Sequence, residues 1–99
     1  MGYVIFEVKK EQVGKIDQVV RDDIVSRQSI ITRDAASLDV DKDAMYVKIE
    51  GSDKGVKRAE ELFKEIGVKK LSKKDAEKIN KKIVSQDESA ATGMGMIFD

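Results

Sequence analysis

The chain has 99 residues, the size of one domain, and it contains no Cys, His, Trp or Pro. Without thiols or imidazoles it cannot form disulfides, a Cys–His zinc site, or the Ser–His and Cys–His pairs of nucleophilic catalysis. Nineteen basic side chains balance nineteen acidic ones, so the net charge is zero and does not favour a polyanionic partner. No apolar run approaches a membrane span and no signal-peptide pattern opens the chain, so we expect a cytoplasmic protein without membrane contact.

The first half of the chain predicts three strands and one helix. Residues 3–9 are β-branched and aromatic on both faces, which is typical of a central strand. Residues 11–23 place apolar side chains every three or four positions and predict an amphipathic helix. Residues 26–40 predict an edge strand, and residues 45–50 alternate like a further strand, with the acidic segment 39–43 as the turn between them.

The second half predicts a helix, a short strand and another helix. Ser52 is a candidate N-cap, and Gly67 stands where a glycine is expected after a helix, so both ends of the helix between them are marked. Residues 68–71 predict a last strand. A capping box opens a helix over residues 72–84, and residues 85–99 are expected to form a flexible tail with an apolar end.

The element order is β-α-β-β-α-β, followed by the appended helix. With right-handed crossovers this order predicts the α+β ferredoxin-like architecture, an antiparallel four-stranded sheet with two helices on one face. The same topology places the first and third strands, which have the strongest strand patterns, in the centre of the sheet. We therefore expect a single domain over residues 1–84, with a core at 3–71 and the appended helix at 72–84.

Residues 46–71 run from a strand through a turn at Gly51 and a helix to a strand that starts at Gly67-Val68. This segment resembles the second half of NIL-type and ACT-like ligand-sensing domains, and residues 3–71 resemble them more loosely. The resemblance implies a ferredoxin-like module that pairs through sheet edges or open sheet faces and binds small molecules at the interface. The ligand-contacting positions vary among such domains, so the resemblance assigns no residue here.

An acidic pattern is the first candidate site. Asp39, Asp41, Asp43 and Glu50 occupy positions 1, 3, 5 and 12 of a calcium-binding loop, and oxygen ligands at alternate positions suit a hard cation. Two features argue against an EF-hand, because position 6 is Ala44 instead of glycine and Glu50 falls in a predicted strand. The alternatives are a solvated hairpin tip and a weak site for Ca²⁺, the one cofactor that the sequence suggests.

The zero net charge conceals an uneven distribution. Residues 54–82 hold eleven basic and five acidic side chains, a net charge of +6, whereas residues 1–53 and 83–99 each carry −3. The predicted basic patch consists of Lys69, Lys70, Lys73, Lys74, Lys78, Lys81 and Lys82. These lysines either contact phosphates or solvate the outer faces of helices. Since no aromatic or arginine side chain is interleaved with them, nucleic acid is a disfavoured partner.

The side of the sheet away from the predicted helices is the third candidate. It carries Tyr3, Ile5 and Tyr46, an apolar patch of the kind that marks interfaces. We expect this face to be covered in one of three ways. The cover is the appended helix, a second copy of the chain in a homodimer, or the apolar end of the tail. That end consists of Met94, Met96, Ile97 and Phe98. RNA-recognition motifs stack bases on the same two strands, but Glu7 and Glu50 give this face acidic charge.

Catalysis has little support in the sequence. The acidic pairs 22–23 and 60–61 are adjacent on helices, where neighbouring side chains diverge by about 100°, so neither pair converges on one substrate atom. We therefore predict a non-enzymatic interaction or ligand-sensing module that acts by binding. The alternatives are a Ca²⁺-binding protein and a nucleic-acid-binding domain.

Overall fold

The computed structural model describes residues 2–98, and it describes side chains for residues 2–86. Within this range the strands are Gly2–Lys9 (β1), Ser29–Asp34 (β2), Ala44–Gly51 (β3) and Lys69–Lys70 (β4). The α-helices are Ile16–Val20 (α1), Asp53–Glu65 (α2) and Lys73–Phe98 (α3). Short 3₁₀ turns occur at Lys10–Lys15, Val25–Arg27 and Ala36–Leu38.

The strands form one antiparallel sheet in the order β2-β3-β1-β4. β1 and β3 occupy the centre, as their apolar faces predict, and they pair along their whole length. β4 is much shorter and pairs with β1 at Phe6 and Glu7. The predicted α+β class and the four-stranded antiparallel sheet are confirmed.

Helices α1 and α2 pack on one face of the sheet and enclose the larger of two cores. The rings of Phe6 on β1 and Phe63 on α2 lie at its centre, with their centroids 4.2 Å apart. The other buried members are Val4, Val8, Ile16, Val19, Val25, Val47, Ile49, Ala59 and Val68. This face therefore buries apolar surface from every element packed on it, which stabilises the fold.

Both ends of α2 are the ones that the sequence predicts. Ser52 Oγ accepts a hydrogen bond from the backbone N–H of Gly55 at 3.1 Å, which caps the first turn. Gly67 follows the helix with a φ of 76°, a left-handed conformation that glycine adopts without a Cβ clash. Local sequence chemistry thus determines where α2 starts and stops.

An ion pair joins the segment after α1 to α2. Arg58 Nε and Nη2 both lie 3.2 Å from Asp22 Oδ1, and Asp22 Oδ2 accepts hydrogen bonds from the N–H groups of Ile24 and Val25. Burial opposes ionisation of Asp22, but Arg58 and these two amides outweigh it and lower the pKa of Asp22 below its usual value. The pair holds the 3₁₀ turn after α1 against α2.

Helix α3 packs on the opposite face of the sheet and closes a second core. Ala76, Ile79 and Ile83 form its buried stripe and lie over Ile5 and Tyr46. The remaining buried members are Ala35, Leu38 and Leu71. The sheet is therefore covered on both faces by one chain.

Two predicted elements in the first half of the chain differ from the structure. The helix expected over residues 11–23 is replaced by a 3₁₀ turn and the five-residue α1, because Gly14 weakens the helix in its first turns. The strand expected over residues 26–40 ends at Asp34. The chain then forms a 3₁₀ turn, which brings Leu38 into the second core and accounts for the apolar alternation in this segment.

Helix α3 begins at Lys73, next to the predicted start at residue 72, and continues to Phe98, beyond the predicted end at residue 84. No Gly or Pro follows directly after residue 84, so the sequence supplies no early helix breaker. The predicted flexible tail over residues 85–99 and its apolar end lie largely outside the residues whose side chains are described. None of the helices in the described part of the chain combines the length and apolarity needed to cross a membrane.

Candidate functional site

A pocket of about 430 Å³ lies between β1, the end of β4 and the start of α3, and we call it the edge pocket. It is lined by residues 2–5 of β1, by Lys70 and Leu71, and by Lys73, Ala76 and Glu77 of α3. This volume falls within the range of roughly 300–1,000 Å³ that is typical of small-molecule sites.

Two hydrogen bonds place the start of α3 beside β1. The backbone N–H of Leu71 donates to Ile5 O at 3.0 Å, which ends the contact between β4 and β1. Ser72 Oγ then accepts a hydrogen bond from the N–H of Asp75 at 3.3 Å and caps the first turn of α3. The chain therefore leaves the sheet directly after Leu71, and the edge pocket occupies the space beside residues 2–4.

The edge pocket has an apolar wall and a charged rim. The wall is formed by Tyr3, Val4, Ile5, Leu71 and Ala76. The charges come from Glu77 and from the exposed lysines Lys70 and Lys73, of which Lys70 Nζ lies 3.1 Å from Glu60 Oε1 on α2. Apolar surface next to two lysines suits a ligand that has an apolar body and an anionic group.

The Tyr3 ring in this wall contacts a buried lysine. Lys48 Nζ lies 5.2 Å from the centroid of the Tyr3 ring, a cation–π distance, and 3.8 Å from Glu50 Oε1. The Lys48 side chain is 8% exposed. This contact restrains the half-buried Tyr3 ring at the border between the second core and the edge pocket.

A smaller cavity of about 160 Å³ lies on the other flank of α3. Lys42 Nζ is 3.3 Å from Glu7 Oε2, and the hydrogen bond from Lys42 to Glu7 raises the pKa of Lys42. Burial, followed by the charge of Glu7, raises the pKa of Tyr46, so its phenol is neutral at neutral pH. Lys69, Asp75 and Lys78 complete the charged lining. Acidic and basic groups largely neutralise one another here, which favours a structural role for this cavity.

The lysines of the predicted basic patch are all exposed, and they lie in three settings. Lys70 and Lys73 line the edge pocket. Lys69 and Lys78 line the smaller cavity. Lys74, Lys81 and Lys82 lie on the outer side of α3, away from its buried stripe. The seven lysines thus belong to the linings of two cavities and to the outer side of α3, and a role in contacting phosphates stays a prediction.

The predicted open sheet face is not open. Ile5 is fully buried and Tyr46 is 2% exposed, because Ile79 and Ile83 of α3 cover them. Of the three covers considered from the sequence, the appended helix is the one observed. Tyr3 is half-buried at the border of this layer and reaches the edge pocket. The expectation that these three residues form one accessible interface is corrected accordingly.

The predicted calcium-binding loop does not assemble. Asp39, which has a left-handed φ of 59°, and Asp41 and Asp43 are exposed in the segment before β3. Glu50 lies seven residues after Asp43, near the far end of β3. Because a strand rises about 3.3 Å per residue, the two residues are about 20 Å apart. In the part of the chain that is described, no three carboxylates come together as metal ligands. The four-residue ligand set is therefore corrected to an exposed acidic turn.

Sequence reasoning identified four residues of the edge pocket but assigned them to two separate sites. Tyr3 and Ile5 were expected on an open sheet face, and Lys70 and Lys73 in a basic patch. The sequence did not predict that these four residues line one pocket, or that Glu77 lines it with them. The available signal was the capping box directly after the short fourth strand, which indicates that the chain turns away from the sheet at that point.

Comparisons with protein-family models, with curated proteins and with solved structures find no match. The similarity of residues 46–71 to NIL-type and ACT-like domains stays a prediction from the sequence. The candidate site therefore rests on the geometry of the edge pocket.

Proposed function

We propose that the chain is a small ligand-binding module that takes an anionic ligand with an apolar body in the edge pocket. The observation that carries this proposal is the pocket itself, where an apolar wall meets the exposed lysines Lys70 and Lys73. Burial of apolar surface and charge-assisted hydrogen bonds are the two contributions that such a site combines. The module acts by binding, as the sequence predicts.

The topology supports the same class of function. Read from its other edge, the sheet has the order β4-β1-β3-β2, with α1 and α2 on one face. We take this as a ferredoxin-like module extended by α3, in line with the element order of the sequence. Ligand sensing fits the resemblance of residues 46–71 to NIL-type and ACT-like domains, although that likeness is an analogy at the level of the fold. Because α3 covers the face opposite α1 and α2, the proposed site lies at the border of α3.

Catalysis is not part of the proposal. The adjacent acidic residues on α2 point to different partners, since Glu60 pairs with Lys70 at 3.1 Å and Glu61 pairs with Arg58 at 3.6 Å. Among the described residues that line the edge pocket, Glu77 supplies the one carboxylate. An acid–base mechanism with paired carboxylates therefore has no basis in this lining.

Isothermal titration calorimetry with phenylacetate tests the proposal, with 2-phenylethanol as a neutral probe of similar shape. We expect phenylacetate to bind, and the neutral probe to bind more weakly because it has no charge to place near the lysines. Lys73→Ala should weaken phenylacetate binding by up to about fivefold, since an exposed ion pair contributes about 0.2–1 kcal/mol.

Lys74→Ala is the matched control, because it removes the same charge from the neighbouring position on the outer side of α3. It should leave the affinity for phenylacetate close to that of the unmodified chain. Equal weakening by the two substitutions, or equal affinity for the two probes, would contradict the role of the lysine rim. Failure of both probes to bind at millimolar concentration would contradict the proposed function.

A further inference from the structure

The edge pocket touches four consecutive residues of one strand. Residues 2–5 all line it, although Tyr3 and Ile5 belong to the α3 side of the sheet and Val4 belongs to the opposite core. Because successive side chains of a strand point to opposite faces, a single cavity contacts all of them when it lies along the edge of the strand. The edge pocket therefore follows the backbone of β1 and is not confined to one face of the sheet.

The backbone of β1 has an unfilled strand position along this pocket. β4 pairs with β1 at Phe6 and Glu7, and the N–H of Leu71 donates to Ile5 O before the chain enters α3. Alternate residues of an antiparallel strand direct their N–H and C=O groups to the same side, so those of Tyr3 point to the β4 side as those of Ile5 do. Within the described residues, no strand lies beside Tyr3 on that side.

We propose that the edge pocket binds an extended peptide segment that ends in a free carboxylate and pairs with β1 at Tyr3. The inference rests on the proposed function and names its ligand class. One N–H donor and one C=O acceptor of Tyr3 are available to an added strand, which supplies their complements from its own backbone. Lys70 and Lys73 supply the positive charge that the terminal carboxylate needs.

The position of Lys70 sets the direction of the peptide. Lys70 lies opposite Phe6, so it stands at the end of the pocket nearest Ile5. A carboxylate at this end places the C-terminus of the peptide beside Ile5, and the peptide then runs parallel to β1. Residues 2–4 span about 10 Å of strand, a length that accommodates three peptide residues.

An NMR titration of the ¹⁵N-labelled full chain with acetyl-Leu-Val-Val, which has a free carboxylate, tests the inference. We expect the amide signals of residues 2–5 to shift and nuclear Overhauser effects to connect the peptide backbone with Tyr3. The same peptide with a C-terminal amide should bind several-fold more weakly, because it lacks the charge that meets the lysines. A version N-methylated at its second and third residues should lose roughly two- to tenfold in affinity, the usual effect of one lost hydrogen bond.

Two substitutions of Tyr3 test the same pairing by changing the protein instead of the peptide. Tyr3→Ala removes the ring and keeps the N–H, whereas Tyr3→Pro removes both. Because the N–H of Tyr3 points away from β3, both substitutions leave the hydrogen bonds between β1 and β3 intact. We expect Tyr3→Pro to bind the peptide more weakly than Tyr3→Ala does. The peptide series gives the same information if Tyr3→Pro does not fold.

The outcomes separate this inference from the proposed function. If phenylacetate binds and the peptide does not, the inference is overturned and the proposed function stands. Equal affinity for the unmodified and N-methylated peptides also overturns it, because strand pairing requires the peptide N–H groups. If neither phenylacetate nor any peptide binds, the proposed function fails as well.

Discussion

The two faces of the sheet are closed by different kinds of packing. On the first face, α1 and α2 enclose an apolar core around Phe6 and Phe63. On the second face, α3 covers Ile5 and Tyr46, but Lys48 is buried in the same layer, since it pairs opposite Ile5 on β3. The face under α1 and α2 is therefore packed by apolar side chains throughout, whereas the candidate site lies at the border of the face that α3 covers.

Polar groups in the second layer weaken the attachment of α3. The buried Lys48 has a long contact of 3.8 Å with Glu50, and Asn80 Oδ1 is buried without a hydrogen-bond partner in the described part of the chain. A buried polar group that stays unsatisfied costs about 1–3 kcal/mol. The helix is also anchored by a narrow stripe, which consists of Ala76, Ile79 and Ile83. We therefore expect α3 to open locally before the α1 and α2 face unfolds.

The largest effect on stability is expected at the centre of the first face. Phe63→Ala removes a fully buried ring that lies against Phe6, so the free energy of unfolding should fall by about 3–5 kcal/mol. Urea denaturation followed by circular dichroism measures this loss. A decrease below about 0.5 kcal/mol, the size of an ordinary surface effect, would contradict the view that this face holds the fold together.

A smaller and more local effect is expected under α3. Ile83→Ala should lower the free energy of unfolding by about 2 kcal/mol, the lower end of the range for such truncations, because α3 can readjust on the sheet. Hydrogen exchange should show faster exchange of the α3 amides and unchanged protection in α2. Equal loss of protection in both helices would remove the distinction between the two faces.

Helices α2 and α3 are each capped by a serine, at Ser52 and Ser72. Ser52→Ala removes the cap of α2 and should lower the global stability by about 1 kcal/mol. Ser72→Ala makes the same chemical change at the start of α3, where Ser72 Oγ caps the first turn. We expect it to speed hydrogen exchange in α3 and to change the urea midpoint less than Ser52→Ala does. An equal shift of the two midpoints would show that the two helices unfold as one unit.

The smallest effect is confined to acid. The pKa of Asp22 is lower in the folded chain than its usual value, so its contribution to stability is complete above about pH 3.9 and is lost as the pH falls through the folded-state pKa. Asp22→Asn should remove this part of the acid dependence and leave phenylacetate binding at neutral pH unchanged. Urea denaturation across the acidic range measures the first effect. An identical acid dependence of the two proteins would contradict the role of the pair with Arg58.

Features with a local cause were predictable from the sequence. The two ends of α2 follow from Ser52 and Gly67, whose side-chain and backbone chemistry acts within one turn. The central position of β1 follows from the apolar residues on both of its faces. The predictions over residues 11–23 and 26–40 were wrong in their extent, because an apolar pattern does not reveal how far Gly14 shortens a helix or where a strand gives way to a 3₁₀ turn.

The candidate site depends on long-range placement that the sequence does not encode locally. Tyr3 and Lys73 are far apart in the chain, and they meet because Leu71 pairs with Ile5 and the chain then turns into α3. Four residues of the site could thus be singled out from the sequence, but their arrangement around one pocket could not. The acidic turn is the opposite case, because its pattern is regular in the sequence and yet forms no site. Glu50 is part of an extended strand, and in the described part of the chain no three carboxylates come together.

The most direct test of the division between the two faces is a map of amide chemical shifts on addition of phenylacetate to the ¹⁵N-labelled chain. We expect shifts along the edge pocket, in residues 2–5 and 70–77, with the amides of α1 and α2 unchanged. Shifts concentrated on α1 and α2, or in the acidic turn at residues 39–43, would contradict this division.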